Sequence, residues 1–158
     1  MTIQVGDQLP SLTLQEGTPG NTHNMATLFA GKKGVIFAVP GAFTPGCSKT
    51  HLPGYIADAE AIKAKGIDLI VCIAVNDAFV MSAWGESQDV GDKILMLADP
   101  AAEYTKAIGL EVEAGALGGT RSKRYSMLVE DGVVTQLNLE PDGFGISCSQ
   151  ANNILEQL

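Results

Sequence analysis

Gly34-Val35-Ile36-Phe37-Ala38-Val39 is short, apolar and partly β-branched, the pattern of a strand buried on both faces. It runs into Pro40-Gly41-Ala42-Phe43-Thr44-Pro45-Gly46, a loop punctuated by prolines and glycines, and then reaches Cys47. Beyond Cys47, Leu52, Tyr55, Ile56, Ala59 and Ile62 recur at helical spacing. A helix is therefore predicted from near Cys47 to about Lys65, with Gly66 as its stop. Pro53-Gly54 falls inside it. Proline removes a backbone donor and crowds the preceding turn, so a kink is expected there.

Outward from this unit, Ile67 to Val75 is a second apolar run. Asn76-Asp77 can cap a helix carrying Phe79, Val80, Ala83 and Trp84. A third strand, Ile94 to Ala98, leads through Asp99-Pro100 into a helix over Ala101 to Ile108. Tyr125 to Glu130 and Val133 to Leu139 flank Asp131-Gly132, a strong hairpin signal. Gly17-Thr18-Pro19-Gly20-Asn21 reads as a turn, and Pro141-Asp142-Gly143-Phe144-Gly145 as a mobile loop. The last helix carries Ile154, Leu155 and Leu158.

Alternating strands and helices imply parallel strands with covering helices, and the hairpin adds antiparallel ones. The expected fold class is α/β: a mixed central β-sheet with helices on both faces, of the thioredoxin kind, in one domain over residues 1–158. Ligands of open α/β sheets bind beyond the carboxyl ends of strands, where Cys47 lies.

The 158 residues suit one core, and 46% hydrophobic with 18% charged residues argues against disorder. The net charge of −8 repels phosphate backbones and anionic lipid, so neither nucleic acid nor a membrane is an expected partner. No apolar run approaches the roughly 18 residues of a membrane span. Met1-Thr2-Ile3-Gln4-Val5-Gly6-Asp7 lacks the basic-then-apolar order of a secretory signal. The final Leu158 matches the last residue of the peroxisomal Ser-Lys-Leu address, but Glu156-Gln157 do not match the rest. Three scattered cysteines, Cys47, Cys72 and Cys148, fit a reducing compartment and redox or nucleophilic chemistry. None is placed for a Cys-x-x-Cys dithiol or a zinc site.

A thiol attacks as its thiolate. The unpaired N–H groups and partial positive charge of a helix's first turn favour that form at Cys47. Against this stands the ordinary reading of a lone cysteine as a small buried hydrophobe. Arg121, Lys123 and Arg124 precede a strand, where such charges ordinarily face water. His51 lies four residues after Cys47, on the same face of a regular helix. A Cys/His hydrolase and a redox-sensing binding protein therefore stand as alternatives.

Pro40-Gly41-Ala42-Phe43-Thr44-Pro45-Gly46-Cys47 resembles the active-site loop of peroxiredoxins, Pro-x-x-x-Thr-x-x-Cys. Ser48-Lys49-Thr50-His51-Leu52-Pro53-Gly54-Tyr55 resembles the peroxiredoxin-5 subfamily, as do Val75-Asn76-Asp77-Ala78-Phe79-Val80 with Trp84-Gly85, Leu97-Ala98-Asp99-Pro100, Lys123-Arg124-Tyr125-Ser126-Met127, Glu140-Pro141-Asp142-Gly143 and Ser147-Cys148-Ser149.

The resemblance implies a peroxidase acting on hydrogen peroxide and alkyl hydroperoxides, with no metal, haem or flavin cofactor. Cys47 falls on the peroxidatic cysteine. Thr44 would hold the thiolate and orient the peroxide, Pro40 would shield the pocket, and Arg124 would favour the thiolate. The N–H groups of Gly46 and Cys47 would bind peroxide oxygens. Cys148 falls on the resolving cysteine of atypical two-cysteine members, which forms a disulfide within one chain. Thioredoxin, or glutaredoxin with glutathione, would reduce that disulfide. His51 is expected to be a supporting hydrogen-bonding residue and Cys72 a buried structural thiol. Phe79, Met81 and Trp84 lie in a segment that such proteins use to pair as non-covalent homodimers. An intracellular location is expected, cytoplasmic with mitochondrial or peroxisomal forms.

Overall fold

The computed structural model describes residues 2–158; Met1, the first residue of the segment weighed as a leader, lies outside the described residues. The elements in order are β1 (Thr13–Glu16), β2 (Thr18–Asn24), α1 (Met25–Leu28), β3 (Lys33–Ala38), a π-helical turn (Cys47–His51) continuing into α2 (Leu52–Ala64), β4 (Leu69–Ala74), α3 (Ala78–Ser87), β5 (Leu95–Ala98), α4 (Glu103–Ala107), β6 (Glu111–Ala114), β7 (Gly119–Ser122), β8 (Tyr125–Glu130), β9 (Val133–Leu139) and α5 (Ala151–Gln157). Seven strands form one sheet in the order β2-β1-β5-β4-β3-β8-β9, and β6 and β7 form a separate hairpin. The central β3, β4 and β5 run parallel. The flanking pairs are antiparallel. The expected mixed sheet is thus present.

Because side chains alternate along a strand, β3 feeds two cores. Val35 and Phe37 pack with Leu52, Tyr55 and Ile62 of α2, Trp84 of α3 and Ile154 of α5. Ile36 and Ala38 face Met25 of α1 and Tyr104 of α4 across the sheet. The helices therefore cover both faces. Gly34 is required because the Phe29 ring lies on the strand: a Cβ there would overlap Cδ1 and Cε1 of that fully buried ring. Gly34→Ala is expected to destabilise the protein by about 2 kcal/mol through overpacking. Urea unfolding would measure it.

The helix after the loop starts as predicted, but with a widened turn rather than a simple kink. The Leu52 N–H bonds the Cys47 carbonyl, five residues back. Pro53 cannot donate to the Lys49 carbonyl, so the regular ladder is already interrupted at this point.

Two expectations need correction. Thr18 to Asn21 is not a turn: only Gly17, at φ 75°, serves the reversal, and Thr18–Asn24 is an edge strand. Its polar residues and Pro19 are tolerated because an edge has one unpaired side. The helix after Asp99-Pro100 is shorter than predicted, because Ala102 adopts a left-handed conformation at φ 58°. The Asp99 carboxylate then accepts from Thr105 N at 2.8 Å. The 141–145 loop, expected to be mobile, is bonded within itself in this conformation. Asp142 Oδ1 accepts from the N–H groups of Phe144 and Gly145 at 2.9 and 2.7 Å. Gly143 N donates to Glu140 O at 2.9 Å.

Candidate active site

Strand β3 delivers the chain to Pro40, which is buried, and the loop to Gly46 turns over the end of the sheet. Asn76, just beyond β4, holds this loop by accepting from Ala42 N at 2.9 Å. Phe43 takes the left-handed φ of 65° and leaves its ring exposed. Thr44 Oγ1 donates to Gly41 O at 2.7 Å. Its proton is therefore committed to the loop in this conformation rather than given to Cys47, and its oxygen stays available as an acceptor.

Cys47 opens the π-helical turn and is fully buried. Among the described residues, the Gly46 and Cys47 N–H groups have no protein acceptor, as befits a first helical turn. Arg124, just before β8, is buried and reaches the thiol: Nη2 donates to Cys47 Sγ at 3.3 Å. Its Nε donates to Phe144 O at 3.1 Å, and its Nη1 lies 2.9 Å from His51 Nδ1. A Cβ on Gly46 would come within 3.3 Å of Arg124 Nη2, so glycine keeps the approach between loop and guanidinium open.

These contacts fix the state of His51. Arginine only donates, so Nδ1 must accept. Nε2 lies 2.9 Å from the Ser149 carbonyl, which only accepts, so Nε2 carries the proton. The ring is neutral. Burial lowers its pKa from 6.5 to about 4; the Arg124 charge lowers it too, against opposing effects of the Ser149 bond and Glu140. Both ring nitrogens are engaged away from Cys47, which removes the base that a Cys/His hydrolase needs. What remains is a buried sulfur beside a fixed cation and free N–H donors, suited to charge developing on a small oxygen ligand.

The family model for Redoxin matches residues 4–155. Peroxiredoxin-2E-2 (chloroplastic) of Oryza sativa subsp. japonica is 49% identical over 99% of this chain and 73% of its own length. Reduced Prx3 of Vibrio vulnificus in complex with H2O2 superposes with a TM-score of 0.93 at 52% identity, covering 99% of both chains. Peroxiredoxin 5 of Alvinella pompejana superposes with a TM-score of 0.85 at 39% identity, again covering 99% of both chains. The chain is a peroxiredoxin. It is a thiol-dependent peroxidase of antioxidant defence.

Elsewhere in this peroxiredoxin, Cys72 is fully buried on β4, and burial pushes its thiol well up. Cys148 is half-buried before α5, and all three thiols are free. Its Sγ donates to Leu139 O at 3.5 Å. Burial and then the Glu140 charge raise its pKa. Met81 and Trp84 are core residues, whereas Phe79 is 62% exposed. Trp84 Nε1 donates to Ser48 Oγ at 3.0 Å, which joins α3 to the residue after Cys47.

Three features escaped the sequence. Arg121 does not simply face water: its Nη2 donates to Leu117 O at 2.6 Å, and its guanidinium lies against Gly41. His23, which carried no signal, pairs with Glu16 at 2.8 Å. Glu140 is buried in a set of bonds from the Cys148 segment. A hollow of about 520 Å³ lined by Glu16, Ser82, Glu86 and Asp89 contains none of the site residues.

Proposed function

We propose that Cys47 is the peroxidatic thiol and that hydrogen peroxide and alkyl hydroperoxides are its substrates. The single observation that carries this is the Arg124 guanidinium 3.3 Å from Cys47 Sγ at the start of a helix. The Cys47 thiolate attacks the nearer peroxide oxygen. The O–O bond breaks, the far oxygen leaves as water or alcohol after gaining a proton, and Cys47 becomes a sulfenic acid. Arg124 and the Gly46 and Cys47 N–H groups stabilise charge on the oxygens. The Thr44 oxygen accepts from the peroxide, and buried Pro40 keeps water off the sulfur.

Cys148 then attacks the sulfenic sulfur, forming a disulfide within the chain and releasing water. Thioredoxin, or glutaredoxin with glutathione, returns both thiols. The ring of Phe79, 62% exposed on α3, supports a non-covalent homodimer that pairs through this segment. Three free thiols support an intracellular location, and no described helix is long and apolar enough to cross a membrane.

Stopped-flow oxidation of the reduced protein by stoichiometric hydrogen peroxide, followed by Trp84 fluorescence and intact mass, tests these assignments. Rapid oxidation with a loss of two hydrogens is expected. In Cys148→Ser the first phase should persist while the protein gains one or two oxygens instead. A wild type that oxidises no faster than a free thiol would end the assignment to Cys47. A Cys148→Ser variant that still loses two hydrogens would remove Cys148 from its role.

A further inference from the structure

Glu140 is 1% exposed, yet no cationic side chain among the described residues pairs with it. Its carboxylate is satisfied by one tripeptide. Ser147 N donates to both oxygens at 2.9 and 3.0 Å, and Ser147 Oγ to Oε1 at 2.6 Å. Cys148 N and Ser149 N each donate to Oε2 at 2.9 Å, and Ser149 Oγ donates to it at 2.7 Å. Every N–H and both hydroxyls of Ser147-Cys148-Ser149 thus point at one buried carboxylate. Bonds to a charged acceptor are the strong ones.

The same tripeptide reaches the peroxidatic thiol. The Ser149 carbonyl accepts from His51 Nε2 and from Tyr55 OH at 2.8 Å. His51 accepts from Arg124, and Arg124 donates to Cys47. Glu140 N also donates to Arg124 O at 3.1 Å. The segment carrying Cys148 is therefore built into the support of Arg124 while Cys47 is reduced.

We propose that Glu140 is a latch: it holds Ser147-Cys148-Ser149 in the reduced arrangement and thereby delays the disulfide step, so that Glu140 sets the lifetime of the Cys47 sulfenic acid. This rests on Cys148 being the resolving thiol. Cys47 is fully buried against Arg124, whereas the Cys148 thiol is engaged with Leu139 O and its N–H with Glu140; on this proposal, closing the disulfide moves the tripeptide and breaks its bonds to Glu140. In the step itself the Cys148 S–H and the Cys47 S–OH bonds break, an S–S bond forms, and water leaves. While the latch holds, a second peroxide can add an oxygen to the sulfenic acid, giving sulfinic acid and water. The negative charge of Glu140 also disfavours the Cys148 thiolate, which acts in the same direction.

The test is the disulfide step itself. Wild type, Glu140→Gln, Glu140→Asp and the Ser147→Ala/Ser149→Ala double variant are reacted with one and with many equivalents of hydrogen peroxide, quenched in time, and weighed. Glu140→Gln takes the charge from all of these bonds and turns one acceptor oxygen into a donor, so it is expected to close the disulfide at least about tenfold faster, the factor for weakening even one bond to a charged acceptor, and to give less sulfinic acid. Glu140→Asp, which keeps the carboxylate on a shorter stem, falls between it and wild type. The serine double variant accelerates the step severalfold with Glu140 intact and serves if Glu140→Gln does not fold. Loss of a merely structural residue would not speed one step while lowering the overoxidised product. Unchanged or slower closure in the variants that fold overturns the latch alone. A wild type that forms no Cys47–Cys148 disulfide overturns the resolving role, and the latch with it.

Discussion

Arg124→Met is expected to slow the reaction of Cys47 with hydrogen peroxide by about a thousandfold, the cost of losing a preorganised donor in a buried site. Cys47→Ser, which lacks the proposed nucleophile, should show no fast phase at all. Arg124 spends three nitrogens on three acceptors: Phe144 O, His51 Nδ1 and Cys47 Sγ. The planar fork matters as much as the charge. Lysine offers one compact ammonium that cannot span those three directions, so Arg124→Lys should still lose about a hundredfold. Stopped-flow rates against peroxide concentration decide this. An Arg124→Lys variant within threefold of wild type would mean that charge alone suffices.

How legible this was depended on how local each feature is. The β3–loop–α2 unit was readable because apolar runs, prolines and glycines act over a few residues. The positions of Cys47, Thr44 and Pro40 followed from it. Arg124 was different: by pattern alone it is a charge before a strand, and only the Lys123-Arg124-Tyr125-Ser126-Met127 motif singled it out. The bonds around Glu140 were invisible, because residues 51, 124, 140 and 147–149 meet only in the folded chain. The polar strands β2, β6 and β7 were missed for a related reason. They bury too few side chains to leave an alternating apolar pattern, and what specifies them is pairing with a partner strand. Phe79 sat among core residues in the sequence, yet its exposure is set by which face of α3 meets the sheet.

Acidification from pH 7 to 4.5 is expected to cost about 2 kcal/mol of folding stability through His51 alone. Its pKa is about 4 when folded, against the ordinary 6.5. Between those values the unfolded chain binds a proton that the folded one refuses. Stability is therefore complete above about 6.5 and declines as pH falls toward 4. The cause is geometric as well as electrostatic: a second ring proton would point at the Arg124 guanidinium, which has no lone pair to receive it. Glu140 governs a lower window. Burial pushes its carboxyl up, but the bonds from Ser147, Ser149 and Cys148 outweigh this and hold it at about 2 instead of 4.5. Its contribution is present above about 4.5 and is lost as pH falls toward 2. The two windows meet near pH 4.5, so urea unfolding at pH 7, 4.5 and 3 separates them. In His51→Gln, which cannot charge, the slope between pH 7 and 4.5 should shrink by His51's share while the lower one persists. An unchanged upper slope in that variant would mean that His51 is not the group that refuses the proton. The proton that His51 takes up on unfolding would, if forced into the fold, drive Arg124 from Cys47. The acid limit of stability and that of peroxide reactivity should therefore fall together.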